Sequence, residues 1–149
     1  MSTLTIDELK TRVGQELGTS DPFEITQERI NLFADATEDH QWIHVDPERA
    51  RSGPFGGPIA HGYLTLSLLP YLSHNAYQVS GLKMGVNYGL NRLRFPAPVP
   101  AGSKVRGTFT LNELKQIDGG VQALVGFEVK VEGRDKPVAV GETVSNYYA

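Results

Sequence analysis

Apolar residues recur at two different periods along this chain, and the change of period divides it into a helical first half and a stranded second half. Near the start, Thr5-Ile6-Asp7-Glu8 has the capping-box spacing, in which the Thr5 hydroxyl and the Glu8 carboxylate satisfy free backbone donors. A short helix is expected from there to about Gly14. After an extended stretch through Phe23 and Ile25, Thr26 can cap a second helix, because Ile30, Phe33, Ala34 and Thr37 follow at i, i+3, i+4 and i+7. This helix should end near Glu38. Residues 53 to 62 hold four glycines and two prolines in ten positions, a density that predicts a structured loop. From Gly62 the side chains of Tyr63, Leu64, Leu66, Leu68, Leu69, Tyr71 and Leu72 fall on nearly every side, the pattern of a core helix buried all round. Pro70 interrupts it, and since an interior proline costs about 3 kcal/mol, a kink or an early end is expected there.

Beyond Gly81 the period falls to two. Val105, Gly107, Phe109 and Leu111 alternate with Lys104, Arg106, Thr108 and Thr110, so one face of a strand is apolar and the other wet. Asp118-Gly119-Gly120 supplies a turn, and Val121, Ala123, Val125, Phe127, Val129 and Val131 alternate along the returning strand. A further turn at Gly133-Arg134-Asp135-Lys136-Pro137 precedes a strand through Val138, Val140 and Val144. Val86 to Phe95 forms another before the proline-broken link Pro96 to Pro100. Helices first and at least four antiparallel strands after them predict an α+β domain, one apolar helix wrapped by a curved antiparallel sheet.

Composition narrows the function. A chain of 149 residues fits one domain spanning residues 1–149. Fourteen Lys and Arg against seventeen Asp and Glu give a net charge of −3, so there is no overall basic field to collect nucleic acid or anionic lipid. Cysteine is absent, which excludes thiol nucleophiles, disulfide frameworks and cysteine zinc sites. The N-terminus lacks the pattern of a signal peptide, and the most apolar run, Leu64 to Leu72, is too short to span a membrane. A cytoplasmic protein is expected.

Two stretches concentrate candidate chemistry. Asp39-His40-Gln41-Trp42-Ile43-His44-Val45-Asp46 holds two of the four histidines and two carboxylates. A carboxylate just past a helix C-terminus opposes the helix dipole by about 0.3–1 kcal/mol, so helix stability does not account for Asp39. A loop through Trp42 and Ile43 can fold Asp39 and His44 together under an apolar cover, and such a partly dry pair titrates near neutrality and handles the protons of one water. Other readings stand beside this one: Asp39 and Asp46 as helix-boundary residues with His44 a satisfied loop histidine, or a metal site, for which the spacing and the ligand count are poor. The second stretch, Gly56 to Gly62, runs into the apolar helix. Free N–H groups at that helix start, with no side chain on Gly62, outline a donor pocket for a carbonyl oxygen gaining negative charge. A bend needed only to bury the helix explains the same glycines, and His61 reads as structural.

These segments, with Ala50 and with Asn87-Tyr88-Gly89-Leu90-Asn91-Arg92-Leu93-Arg94-Phe95-Pro96-Ala97-Pro98-Val99, resemble the MaoC-like hot-dog dehydratases, including the (R)-specific enoyl-CoA hydratases and the branch similar to nodulation protein N. The resemblance covers roughly residues 10 to 149. It implies a hot-dog fold, a homodimer or dimer of dimers joined through its sheets, and an acyl-CoA thioester substrate bound between subunits, with no metal and no cofactor. It also implies that Asp39 and His44 activate water and that Gly62 holds the thioester oxygen. The commoner family pattern has Asn-Pro where this chain has Gln41-Trp42. The reaction expected is addition of water to a trans-2-enoyl-CoA to give a (3R)-hydroxyacyl-CoA, or the reverse. A hot-dog thioesterase and a non-catalytic acyl-binding subunit are the alternatives. Arg92 and Arg94 are candidates for the CoA phosphates, although strand arginines are commonly solvated.

Overall fold

The computed structural model describes residues 1–149. In chain order the elements are β1 (Ser2–Leu4), α1 (Ile6–Lys10), β2 (Glu16–Thr19), β3 (Phe23–Glu24), α2 (Gln27–Thr37), α3 (Trp42–Val45), α4 (Pro47–Arg51), α5 (Gly62–Ser67), α6 (Leu69–Ala76), β4 (Tyr77–Val79), β5 (Met84–Arg94), β6 (Lys104–Ile117), β7 (Gly120–Val131) and β8 (Pro137–Tyr148). The main sheet runs β2-β6-β7-β8-β5 with β3 also paired to β6, antiparallel throughout, while β1 and β4 form a separate parallel pair. The expected α+β architecture is thus observed, with α5 and α6 packed on the apolar face of the sheet.

The period-two pattern places β6 and β7 correctly. Val105, Phe109 and Leu111 are buried, as is every apolar residue predicted to face inward on β7, and Phe109 pairs with Phe127 in the register. The two strands turn at Gly119, whose φ of +79° is the left-handed conformation that glycine adopts without steric cost. At the other end of the sheet β5 is an edge strand, paired only to β8, and Met84, Val86, Tyr88 and Leu90 on it are exposed.

The helical half departs from expectation in three places. The capping box of Thr5 and Glu8 forms, but α1 stops at Lys10 and the chain reaches Gly14 through turns. The core helix is two helices meeting at Leu68, with Pro70 in the first turn of α6, where a missing N–H costs no intrahelical bond. Nor is it buried all round: Leu64, Leu69 and Leu72 face the core, whereas Tyr63 is 64% and Tyr71 55% exposed. Third, Trp42 and Ile43 lie in a helical turn rather than a loop. The short strands β2 and β3 carry too few residues for alternation to show. No helix is long and apolar enough to cross a membrane.

Candidate active site

Helix α2 begins as expected, with the Thr26 hydroxyl accepting from Arg29 N–H, and buries Ile30 and Ala34. Thr37, predicted on the same face, is exposed and donates its hydroxyl to the Phe33 carbonyl. The helix ends at Glu38, whose φ of 62° and ψ of 22° are left-handed. For a side chain other than glycine this costs roughly 1–2 kcal/mol, so the turn that delivers Asp39 is held by its surroundings. Gln27 supplies one such hold, its amide donating to the His44 carbonyl at 2.7 Å and to Asn31 Oδ1 at 3.0 Å, which ties the start of α2 to α3.

His44 is buried, and Asp39 is exposed, so only the imidazole half of the expected pair is dry. His44 Nδ1 lies 2.7 Å from the Ile59 carbonyl oxygen. Because that oxygen only accepts, Nδ1 carries the proton and Nε2 presents a lone pair. The Ile59 N–H in turn donates to the Ile43 carbonyl at 3.0 Å, and the adjacent Ala60 N–H to the Val99 carbonyl at 2.8 Å. The extended stretch before α5 is therefore pinned on both sides. Burial, first, and the neighbouring His61 lower the His44 pKa from its ordinary 6.5, opposed by the Ile59 hydrogen bond and by Asp39.

His61, read as structural from the sequence, is buried and enters the same cluster. Its ring stacks on His44 with centroids 3.9 Å apart and planes at 22°, and its Nε2 donates to the Asp39 main-chain carbonyl at 3.0 Å. One donor atom from each of Asp39, His44 and His61 lies within 4.8 Å of the others. With one nitrogen of each histidine engaged by a backbone carbonyl, each neutral imidazole keeps its other nitrogen as a lone pair, which suits proton handling.

The other acidic-loop residues have plain structural roles. Asp46 caps α4 by accepting from Arg49 N–H at 3.1 Å, and exposed His40 pairs with Asp35 at 2.9 Å, a contact that raises its pKa.

Gly62 opens α5. The first intrahelical bonds run from Leu64 and Thr65 N–H to the His61 carbonyl, so the N–H groups of Gly62 and Tyr63 precede the helical ladder. Gly62 and His44 line one cavity of about 370 Å³, together with Thr65, Phe55, Phe95 and Val99. Asp39 does not line it. The aromatic walls, Phe55 and Phe95, lay in stretches whose glycines and prolines drew attention away from them. Arg92 stands in a polar hollow on the outer sheet face beside Glu142 and Lys130, and Arg94 bonds to the Leu93 carbonyl.

The MaoC like domain family matches residues 8–132. The chain is 55% identical over 146 residues to 3-hydroxyacyl-thioester dehydratase Z of Mycobacterium tuberculosis, covering 97% of each. It is 49% identical over 134 residues to nodulation protein N of Rhizobium leguminosarum bv. viciae, covering 89% of this chain and 83% of that one. Among solved structures, the (R)-hydratase of A. caviae involved in PHA biosynthesis superposes with a TM-score of 0.72 at 26% identity, covering 89% of this chain and 94% of the other. The chain therefore belongs to the MaoC-like dehydratases, with their hot-dog fold and their hydratase and dehydratase chemistry.

Proposed function

We propose that the chain is an (R)-specific enoyl-CoA hydratase and 3-hydroxyacyl-CoA dehydratase of fatty acid metabolism, carried by one hot-dog domain over residues 1–149 that works as a homodimer. The observation that carries this reading is the tautomer of His44: Nδ1–H is committed to the Ile59 carbonyl, which leaves Nε2 as the lone pair of a buried imidazole clustered with Asp39.

In this reading the N–H groups at Gly62 polarise the thioester carbonyl of a trans-2-enoyl-CoA, which draws electrons from the C2–C3 double bond. Water held by Asp39 and His44 loses a proton to the pair as its oxygen bonds to C3. The pair gives a proton back to C2 and ends in its starting state, and the product is the (3R)-hydroxyacyl-CoA, with no change of oxidation state overall. The lowered pKa keeps His44 neutral at physiological pH, as a proton acceptor must be. Gly62 and Thr65 line the first cavity, while Leu66 and Leu69 line a second of about 500 Å³ on the following turns, which we assign to the acyl chain. The relative named a 3-hydroxyacyl-thioester dehydratase supports the substrate class.

The test mixes crotonyl-CoA with the protein and follows both the enoyl absorbance and free thiol. Loss of absorbance without thiol is expected. Thiol release points to a thioesterase, and neither signal to an acyl-binding subunit. Asp39→Asn and His44→Ala should each lower kcat by at least ~10²-fold while the protein stays folded.

A further inference from the structure

Resting on that assignment of Asp39 and His44, we infer that His61 is a positioning residue of the same site, tying the main chain of Asp39 to the ring of His44. His61 touches both. Its ring is sandwiched, stacked on His44 at 3.9 Å and tilted against Phe33 at 4.9 Å, and it is only 2% exposed. Its Nε2 reaches the Asp39 carbonyl at 3.0 Å. That bond spans 22 residues and crosses from the end of α2 to the start of α5.

The Asp39 carbonyl can only accept, so His61 holds its proton on Nε2 and leaves Nδ1 as a lone pair. Nδ1 is buried and has no hydrogen-bond partner. An unpaired buried acceptor is unfavourable. A ring kept for packing alone would be better served by phenylalanine, which offers the same stacking against Phe33 and His44 without the stranded nitrogen. The feature that only an imidazole adds here is the Nε2–H, and its single use is to hold residue 39.

Residue 39 needs holding. The Asp39 side chain is exposed and accepts only a long bond of 3.4 Å from the Gln41 N–H, and it follows a left-handed Glu38. With the Nε2 tie removed, Asp39 is free to drift from His44. The backbone leading to Gly62 has pins of its own, Ile59 N–H to the Ile43 carbonyl and Ala60 N–H to the Val99 carbonyl, which remain when the His61 tie is removed. The loss should therefore appear in kcat rather than in KM.

The test compares His61→Phe, His61→Gln and His61→Asn with His44→Ala in crotonyl-CoA hydration, each with a melting curve. Glutamine can place an amide N–H near the Nε2 position, whereas the shorter asparagine cannot. His61→Phe and His61→Asn should lose at least about tenfold in kcat with KM within about twofold of wild type, because small misplacements of a reacting group cost that much or more. His61→Gln should recover most of the loss. A purely structural histidine gives the opposite order, with the well-packing phenylalanine above glutamine, and that order overturns the inference. If His61→Phe does not fold, equal activity of the glutamine and asparagine variants overturns it as well. Wild-type activity in His44→Ala instead brings down the hydratase assignment, so the two failures are told apart.

Discussion

The ring of Phe95 lies against the Cα of Gly62 so closely that a Cβ built at residue 62 would stand 2.8 Å from both Cδ2 and Cε2 of that ring. Under the proposed function, glycine at this position has two reasons to be there. A methyl group would block approach to the backbone N–H groups, and it would also displace Phe95, which is 39% exposed and makes an edge contact with Tyr63 at 6.1 Å.

The two reasons separate in a double variant. Gly62→Ala should lose at least ~10²-fold in kcat, the range for a lost oxyanion donor. Phe95→Ala removes the ring that the methyl would strike. If the glycine serves the thioester oxygen, Gly62→Ala remains as damaging in the Phe95→Ala background as alone. Recovery of activity in the double variant would trace the defect to the ring.

A lowered His44 pKa makes a signed prediction about pH. His44 must be neutral to accept a proton, so the acid limb of kcat/KM should have its midpoint below 6.5. Stability follows the same direction. Between the folded pKa and 6.5 the unfolded chain binds the proton and the folded chain does not, so this contribution to stability is lost as pH falls through that window. His44→Ala should flatten this part of a melting-temperature profile, and an unchanged slope would contradict the assignment.

Trp42 is the only tryptophan in the chain, so its fluorescence reports on the turn that carries His44. Its ring packs on Gly53, where a Cβ would lie 2.9 Å from Cζ3, and under the Arg49 guanidinium at 4.4 Å. Gly53→Ala should shift the emission and cost about 1–3 kcal/mol, as overpacking does. It should also reduce kcat, because the displaced ring shares a helical turn with His44. An unchanged spectrum and activity would show that the turn is not braced by this contact.

The eleven-residue edge strand β5 leaves Val86, Tyr88 and Leu90 in water, and a long uncovered apolar edge is a pairing surface. Light scattering should give twice the chain mass, in keeping with a homodimer. Met84→Lys combined with Val86→Lys, both exposed on β5 and outside the cavity assigned to the acyl chain, should shift the protein toward monomer and lower specific activity with it. A fully active wild-type monomer would remove the dimer from the proposal.

The strands were legible because β6 and β7 bury mainly one face, with Leu124 the exception, and a one-sided strand writes its alternation into the sequence. The pairing of Asp39 with His44 was legible as spacing but not as shape. A one-turn helix such as α3 is too short for periodicity, and the distinction between dry His44 and wet Asp39 depends on residues 58–61, some fifteen positions away. His61 reads as structural in the sequence because its link to Asp39 is a main-chain bond that no residue pattern encodes. The exposure of Tyr63 and Tyr71 was missed for a related reason, since an all-round apolar helix looks the same whether its far side meets core or solvent.

The bond from His44 Nδ1 to residue 59 ends on a carbonyl of the main chain rather than on a carboxylate or amide side chain. Every amino acid carries that oxygen, so no substitution at position 59 can delete it; even proline, which forfeits the N–H that reaches Ile43 and fixes φ, keeps the carbonyl. The protonation pattern of the imidazole is therefore sheltered from point mutation at its own partner. Position 59 can vary in size to suit the packing around it without altering which nitrogen of His44 is free. What genetic change can reach is the path of the backbone, through the residues that pin it from either side.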